Sequence, residues 1–275
     1  MEPTPVRSPA VAGRFYPQQR ETLLHDLDRY LKPESGDPAR FESAIGCVVP
    51  HAGYMYSGHV AGAVYRLLPA RSRYVVMGPN HWARGASLAT VLQGSWLTPL
   101  GPVELDTHLA RQIREEFPLL ADDSEAHEGE HSIEVQLPFL QRLSAALSLV
   151  PIAIAMADYE VLEQLGRAVA DAIRCSTEPV LIVASSDLNH YEPEIITREK
   201  DDRAIEKILQ LDPRGLLEVI RDQDISMCGY APTIAMLTAA KSLGAREAQL
   251  VRHATSADTG GDTHSVVGYA GIIVN

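Results

Sequence analysis

Cysteine, basic charge and long apolar runs are all scarce in this chain of 275 residues. Its three cysteines lie far apart with no CxxC pair, which excludes a disulfide-stapled scaffold and indicates a reducing compartment. Lys and Arg number 24 against 36 Asp and Glu, a formal net charge of −12, so we expect no nucleic-acid partner, since phosphate-binding surfaces are basic. No apolar run is close to the length of about 18 residues that a membrane-spanning helix needs. Residues 1–9 do not have the pattern of a secretory signal. We therefore expect a cytoplasmic protein without a membrane partner.

Short apolar runs alternate with segments of helical periodicity along the chain. The runs are typical of strands, being mostly rich in Val and Ile, and cover residues 45–49, 74–77, 149–155, 180–184 and 265–274. The periodic segments predict helices at residues 20–31, 60–68, 106–117, 161–173, 199–210, 213–221 and 233–240. Because parallel strands need crossover connections, this order predicts one α/β domain over residues 1–275, a mostly parallel central sheet with helices on both faces.

Three of the predicted strands are followed, after a short turn, by a histidine. His51, His81 and His190 occupy these positions. In an open parallel sheet the carboxyl ends of the strands share one edge, where ligands usually bind, so we expect the three side chains to converge there. Imidazoles from His51 and His81 are suitable ligands for Fe, Cu, Zn or Ni. The alternative for each histidine is a loop side chain hydrogen-bonded to backbone.

Two further residues, Cys228 and Asp187, have side chains that could take part in metal binding or proton transfer. Cys228 precedes a helical run, and a helix N-terminus favours the thiolate, so its sulfur could serve as a third ligand; a small buried apolar residue is the alternative. Asp187 lies three residues before His190, where its carboxylate could orient or charge the imidazole for proton transfer. Asp187 could equally cap a helix or turn beginning at Leu188.

A literal HExxH motif spans residues 127–131, the pattern that puts two zinc-binding histidines one turn apart on a helix. The context argues against a protease, because Gly129 would lie in mid-helix and the preceding residues lack an apolar face. Glu130, His131 and Glu134 fit better near the start of a following helix, at the rim of the site or just behind its ligands. Tyr54 could form a pocket wall that stacks on an aromatic ligand, or could be ordinary packing.

Seven sequence blocks, in order, together resemble one family, the Memo family. They are Ser8-Pro9-Ala10-Val11-Ala12-Gly13-Arg14-Phe15-Tyr16-Pro17, Pro50-His51-Ala52-Gly53-Tyr54-Met55-Tyr56-Ser57-Gly58, Gly78-Pro79-Asn80-His81, Glu130-His131-Ser132-Ile133-Glu134-Val135-Gln136-Leu137-Pro138-Phe139, Ser185-Ser186-Asp187-Leu188-Asn189-His190-Tyr191, Cys228-Gly229-Tyr230-Ala231-Pro232 and Val267-Gly268-Tyr269-Ala270. The resemblance covers nearly the whole chain. Bacterial members are called AmmeMemoRadiSam system protein B, a name that implies a radical S-adenosylmethionine protein and an AMMECR-type protein as pathway partners.

The resemblance also implies a fold like that of the class III extradiol dioxygenases, in which two histidines and a glutamate hold Fe(II) and a further histidine acts as acid and base. On that basis His51 and His81 match the histidine ligands and His190, beside Asp187, matches the acid/base histidine. Cys228 takes the glutamate position. This departure changes the charge and softness of the donor set, so dioxygenase activity does not follow from the shared architecture.

Three functions remain open on the sequence alone. The first is a mononuclear redox enzyme, with Fe(II) or copper favoured as cofactor and a small oxidisable substrate such as a phenol. The second is a zinc hydrolase that uses metal-bound water as the nucleophile. The third is a binding or scaffold protein that retains the pocket for a metal, a peptide or a small molecule without turnover.

Overall fold

The computed structural model describes residues 5–155 and 158–275. The expectation of no secretory signal concerned residues 1–9, of which residues 1–4 lie outside the described ranges. The described strands are β1 (Val6–Arg7), β2 (Gly46–Val49), β3 (Arg73–Pro79), β4 (Leu88–Thr90), β5 (Ser95–Thr98), β6 (Gly101–Leu105), β7 (Ala121–Asp122), β8 (Ser148–Ile154), β9 (Val180–Ser185), β10 (His190–Glu192), β11 (Ala248–Thr255) and β12 (Val266–Val274).

The helices surround this sheet. They are α1 (Arg20–Tyr30), α2 (Tyr54–Tyr65), α3 (Thr107–Glu116), α4 (Leu137–Leu143), α5 (Tyr159–Arg174), α6 (Glu194–Leu209), α7 (Pro213–Asp222) and α8 (Tyr230–Ser242), with short 3-10 turns at Glu125–His127, Glu134–Gln136 and Ser256–Thr259. Within the described ranges, none of these helices is both long enough and apolar enough to cross a membrane.

The strands form one mixed sheet whose centre is parallel. The main order is β1-β5-β6-β8-β3-β9-β2-β12-β10, and the pairs β8–β3, β3–β9 and β9–β2 are all parallel. The long strand β12 closes the centre by pairing antiparallel to β2. This arrangement confirms the predicted fold class, and it makes β3, β9 and β2, the three strands followed by histidines, immediate neighbours.

Alternate residues of the central strands face two separate cores. Val75 and Ile182 pack with α3, α5, α7 and α8 on one face. Val76 and Val183 pack with α1, α2 and α4 on the other. Because side chains alternate along a strand, the continuous Val- and Ile-rich runs fill both cores, and helices cover both faces as expected.

The structure contains one long strand that the sequence pattern missed. Strand β11 pairs antiparallel with β12 from Ala248↔Val274 to Thr255↔Gly268. Its sequence includes Gln249, Arg252 and His253, and most of its residues are partly exposed, so it lacks the continuous apolar run by which the central strands were identified. The predicted helix at residues 199–210 begins earlier, at Glu194 in α6, directly after Pro193.

Gly166 permits close packing of α5 against α8. A Cβ atom at this position would lie 2.5 Å from the carbonyl oxygen of Ala235 and 2.7 Å from Cβ of Thr238. Alanine normally stabilises a helix interior by about 1 kcal/mol relative to glycine. We expect Gly166→Ala to do the opposite and lower the free energy of unfolding by about 1–3 kcal/mol, because the two helices must separate. Urea denaturation measures this, with the neighbouring exposed Arg167→Ala as control; a stabilised Gly166→Ala would contradict the packing.

Candidate metal site

The carboxyl ends of β2 and β3 bring two imidazoles together. His51 follows β2 after one residue, and His81 follows β3 after one residue. Their ring centroids lie 5.1 Å apart and their planes are nearly perpendicular, at 82°. Of the three histidines predicted to converge at this edge, His51 and His81 therefore lie close together.

Cys228 reaches the same point from the loop between α7 and α8. Its Sγ lies 3.2 Å from Nε2 of His51, although the two residues are 177 positions apart in the chain. One donor atom from each of His51, His81 and Cys228 lies within 4.8 Å of the other two. Since metal–nitrogen and metal–sulfur bonds are about 2.0–2.3 Å long, one ion could contact all three donors.

Burial determines the protonation of His51 and Cys228. It lowers the pKa of His51 well below its usual value, and the neighbouring His131, His81 and His190 lower it further. His51 is therefore neutral, as a metal ligand must be. Burial likewise raises the pKa of the Cys228 thiol, and the charge of Asp187 adds to the effect. The backbone at Cys228, just before α8, lowers the thiol pKa, the direction expected from the sequence, but burial has the larger effect. A metal ion would therefore have to displace the thiol proton.

Glu130 fixes the orientation of His81. Its Oε1 lies 2.9 Å from Nδ1 of His81 and also accepts the backbone N–H groups of His131 and Ser132, while its Oε2 accepts the N–H of His81. Burial alone would raise the pKa of Glu130, but the hydrogen bond and charge of His81, with His131 and the Ser132 amide, lower it to about 2. A carboxylate at Nδ1 keeps the proton there and leaves Nε2 of His81 free for a metal.

Glu130, His81 and His131 also lie close enough to form a second group of donors. In this group, however, both oxygens of Glu130 already accept hydrogen bonds. Glu130 therefore serves better as the partner that orients His81 than as a ligand.

Removing the negative charge and one of the two acceptor oxygens of Glu130 tests this assignment. We expect Glu130→Gln to weaken Zn(II) binding by about 10- to 100-fold, the usual effect of losing a carboxylate behind a histidine ligand. Isothermal titration calorimetry measures the affinity, and the exposed Glu128→Gln is the matched control. Equal affinities in both variants would show that Glu130 does not orient His81.

His131 forms part of the pocket wall. Its ring stacks on that of His81 at 4.6 Å with an interplanar angle of 13°, and meets the ring of His51 edge-on at 5.4 Å. Phe15 covers another side at 4.7 Å. Burial lowers the pKa of His131 to about 4, despite the opposing charge of Glu130. His131 is therefore a neutral third imidazole beside the two ligand candidates.

Asp187 and His190 lie at the same end of the sheet but have separate hydrogen-bond partners. Oδ1 of Asp187 accepts the N–H groups of His51 at 2.8 Å and Ala52 at 3.3 Å. Nδ1 of His190 lies 2.9 Å from the carbonyl oxygen of Ser226. Burial raises the pKa of Asp187, whereas the charge of His190 lowers it. Asp187 caps the loop after β2 rather than a helix at Leu188, and its hydrogen bonds go to the backbone of His51 and Ala52 rather than to His190.

Tyr54 and Glu134 make their principal contacts with the N-terminal part of the chain and the core. Tyr54 is buried among Tyr16, Tyr30 and Phe139, and its hydroxyl donates to the carbonyl of Val135. These contacts match the packing alternative. The Glu134 carboxylate accepts hydrogen bonds from Arg7, Tyr16 and the backbone of Ala10 and Val11. Its role in this geometry is to hold the N-terminal segment.

The HExxH residues do not form a helix. His127 ends a 3-10 turn, and Gly129 has a φ of +75°, in the left-handed region. The His127 ring is buried beside Trp96, and burial lowers its pKa to about 3. The two histidines of the motif therefore do not share a helix face, in agreement with the argument from sequence context.

Comparison with known proteins identifies the family. The family model described as Memo-like protein matches residues 7–273. A MEMO1 family protein of Pyrobaculum arsenaticum is 45% identical over 276 residues, covering 98% of each chain. One from Methanopyrus kandleri is 41% identical, covering 97% of this chain and 98% of that protein. The chain belongs to the Memo family.

A solved structure supports the architecture of this Memo-family chain. The crystal structure of an uncharacterized protein from Escherichia coli K12 matches with a TM-score of 0.56, covering 83% of this chain and 98% of that one. At 15% sequence identity this likeness concerns the fold alone.

The sequence patterns did not indicate several polar residues that contact the site histidines of this Memo-family chain. Ser185 Oγ lies 3.0 Å from Nδ1 of His51, and Gln136 donates to that hydroxyl. Ser226 holds both the backbone and the ring of His190. Ser185 and Gln136 occur within the family blocks, but the sequence does not indicate their role. A polar residue in a strand or turn carries no pattern that shows which distant side chain it will contact.

Proposed function

We propose that this Memo-family protein is a mononuclear metal-dependent oxidoreductase, with Fe(II) or copper held by His51, His81 and Cys228. The observation that supports it most directly is the grouping of these three donors within 4.8 Å of one another. Two imidazoles and one sulfur form a borderline-soft donor set suited to Fe, Cu or Zn. A bound iron or copper ion would supply one-electron redox chemistry there.

Proton transfer would fall to His190. The carbonyl of Ser226 can only accept, so Nδ1 of His190 carries the proton in that hydrogen bond and Nε2 is left as a base. A substrate hydroxyl within hydrogen-bond reach of Nε2 could lose its proton there. We assign the buried carboxylate of Asp187, at the same end of the sheet, as the negative group that would stabilise the resulting imidazolium.

The substrate we propose is a small phenolic molecule. Trp82 and Tyr191 directly follow His81 and His190, and their side chains are 63% and 78% exposed. Tyr191 has a φ of +61° and lies where the register between β10 and β12 shifts, an irregularity that turns its side chain outward. Exposed aromatic rings beside a polar site favour a planar ligand. A peptide is the second ligand class that such a surface could bind.

The bacterial family name supports a second proposal, that a radical S-adenosylmethionine protein and an AMMECR-type protein act in the same pathway. Co-purification of tagged protein with these two candidates, against a His51→Gln/His81→Gln double variant, would test whether association depends on the pocket.

Anaerobic purification followed by elemental analysis tests the metal assignment. Wild-type protein reconstituted with Fe(II) or Cu(I) should retain about one ion per chain and consume oxygen with catechol-like substrates. His190→Gln should retain the ion but lose oxygen uptake, whereas the exposed His264→Gln should behave as wild type.

The other outcomes separate the alternatives. Retention of zinc alone, with oxygen-independent hydrolysis of ester substrates, would favour a hydrolase over the oxidoreductase. Metal retention without turnover of any phenolic or ester substrate would favour a binding protein. Failure to retain iron, copper or zinc after anaerobic reconstitution would overturn the metal site.

A further inference from the structure

A chain of buried hydrogen bonds leads from α2 to the ring of His51. The Tyr65 hydroxyl donates to Oε1 of Gln136 at 2.8 Å. Nε2 of Gln136 donates to Oγ of Ser185 at 2.8 Å and to the carbonyl of Pro50 at 2.9 Å. Ser185 Oγ in turn lies 3.0 Å from Nδ1 of His51. Each of these side chains is at most 1% exposed, so water does not compete for the bonds.

The orientation of the Gln136 amide is determined by its partners. The carbonyl of Pro50 can only accept a hydrogen bond, which places the NH₂ group of Gln136 toward Pro50 and Ser185. The amide oxygen then faces the Tyr65 hydroxyl, which donates to it. Gln136 therefore acts on Ser185 as a donor.

The single proton of the Ser185 hydroxyl also has a defined acceptor. Ser185 Oγ lies 2.5 Å from the carbonyl oxygen of Ser132, another group that can only accept. With its proton directed to Ser132 and one lone pair taken by Gln136, Ser185 can offer Nδ1 of His51 only an acceptor. All the donors and acceptors of the Tyr65–Gln136–Ser185–His51 network are paired when Nδ1 of His51 carries a proton. With the proton on Nε2 instead, Ser185 would face two acceptors with one hydrogen.

We propose that Ser185, held by Gln136 and Tyr65, is a positioning residue that fixes His51 as the Nδ1–H tautomer and thereby exposes the Nε2 lone pair toward Cys228 and His81. This inference rests on the proposed metal site and assigns a specific task to residues behind it. Leaving a buried donor or acceptor without a partner is costly, so this network favours one tautomer strongly.

The same short segment supports both ligand imidazoles. The N–H of Ser132 donates to Glu130, the partner of His81, and the carbonyl of Ser132 accepts from Ser185, the partner of His51. Gln136 lies four residues further along. Residues 130–136 thus present an acceptor to His81 directly and to His51 through Ser185, which assigns a role to the buried Ser132 and Gln136 as well as to Glu130.

Nitrogen-15 NMR of the metal-free protein tests the tautomer without any metal or turnover. Long-range proton–nitrogen correlations distinguish protonated from bare ring nitrogens, and the His51 signals are assigned by their loss in His51→Gln. We expect a bare Nε2 in wild type and in Ser185→Thr, which keeps the hydroxyl. We expect Ser185→Ala to show a substantial Nε2–H population, and Gln136→Met a smaller one.

Zn(II) competition titration supplies the second measurement. Ser185→Ala should bind Zn(II) about 10- to 100-fold more weakly than wild type, with recovery in Ser185→Thr. Tyr65→Phe should lose less Zn(II) affinity than Ser185→Ala. Tyr74→Phe, which changes a buried tyrosine that is not part of this hydrogen-bond chain, should lose none. Circular dichroism confirms folding, and if Ser185→Ala does not fold, Gln136→Met and Tyr65→Phe provide the comparison.

The outcomes separate this inference from the proposed function. An Nε2–H tautomer in the wild-type protein, or an unchanged tautomer in every folded variant of the chain, would overturn the role of Ser185. If wild type shows a bare Nε2 that Ser185→Ala loses, yet binds no metal, the tautomer assignment stands and the proposed oxidoreductase fails.

Discussion

Replacing Cys228 by alanine will weaken binding of Fe(II), Cu(I) or Zn(II) by at least ~10²-fold. The sulfur is one of three donors grouped within 4.8 Å, and alanine leaves only the two imidazoles of His51 and His81. Four-ligand structural zinc sites bind with about 10–16 kcal/mol, so the loss of one ligand corresponds to several kcal/mol. Competition titration with a chromogenic chelator under anaerobic conditions measures the change.

The other cysteines provide matched controls for this experiment. Cys175 is exposed and Cys47 is buried within β2. Cys175→Ala should leave metal affinity unchanged within error, which excludes a general effect of thiol removal. Cobalt(II) substitution adds a spectroscopic check, since a sulfur-to-cobalt charge-transfer band should be present in wild type and absent in Cys228→Ala. Equal affinity and equal spectra in the two proteins would remove Cys228 from the donor set.

Replacing Glu134 by alanine will lower the free energy of unfolding by about 3–5 kcal/mol, the usual cost of breaking a buried ion pair from one side. The Glu134 side chain is fully buried, its ion pair with Arg7 is 2.7 Å long, and it accepts three further hydrogen bonds from Tyr16, Ala10 and Val11. Without the carboxylate, these donors and the Arg7 guanidinium lose their common acceptor. Urea denaturation followed by circular dichroism measures the change.

An exposed ion pair gives the comparison for Glu134. Glu163 and Arg167 on α5 lie 3.3 Å apart with side chains 36% and 63% exposed. Glu163→Ala should alter the free energy of unfolding by less than about 0.5 kcal/mol, since solvent screens such pairs. If Glu134→Ala were no more damaging than Glu163→Ala, the carboxylate would not be what holds the N-terminal segment.

The fold was predictable because its centre follows a simple physical rule. Strands covered on both faces must be apolar throughout, so β3, β8 and β9 appear in the sequence as continuous Val- and Ile-rich runs. Their parallel order then places the residues after each strand at one edge of the sheet. The position of His51 and His81 just after predicted strands was therefore enough to predict that they lie close together. Strand β11 was missed because it is partly exposed and carries Arg252 and His253.

The environment of the site was less predictable, because it depends on contacts between residues far apart in the chain. Asp187 partners the backbone of His51 and Ala52, 136 and 135 positions away, rather than the neighbouring His190. The Cys228 thiol is governed by burial, which sequence does not show, rather than by the start of the next helix. Local rules for capping and helix dipoles describe neighbours in the chain, and they do not include hydrogen bonds to distant residues or tertiary desolvation.

The separation of 177 residues between His51 and Cys228 has a consequence for biosynthesis. If the proposed metal site is used in the cell, a ribosome-bound chain that has emerged only as far as β9 contains both imidazoles but not the sulfur, and so lacks one of the three proposed donors. Full affinity is gained when α7 and α8 dock, and any ion bound then stabilises the native state in proportion to the logarithm of its concentration over Kd. Metal occupancy would therefore report completion of the last third of the polypeptide.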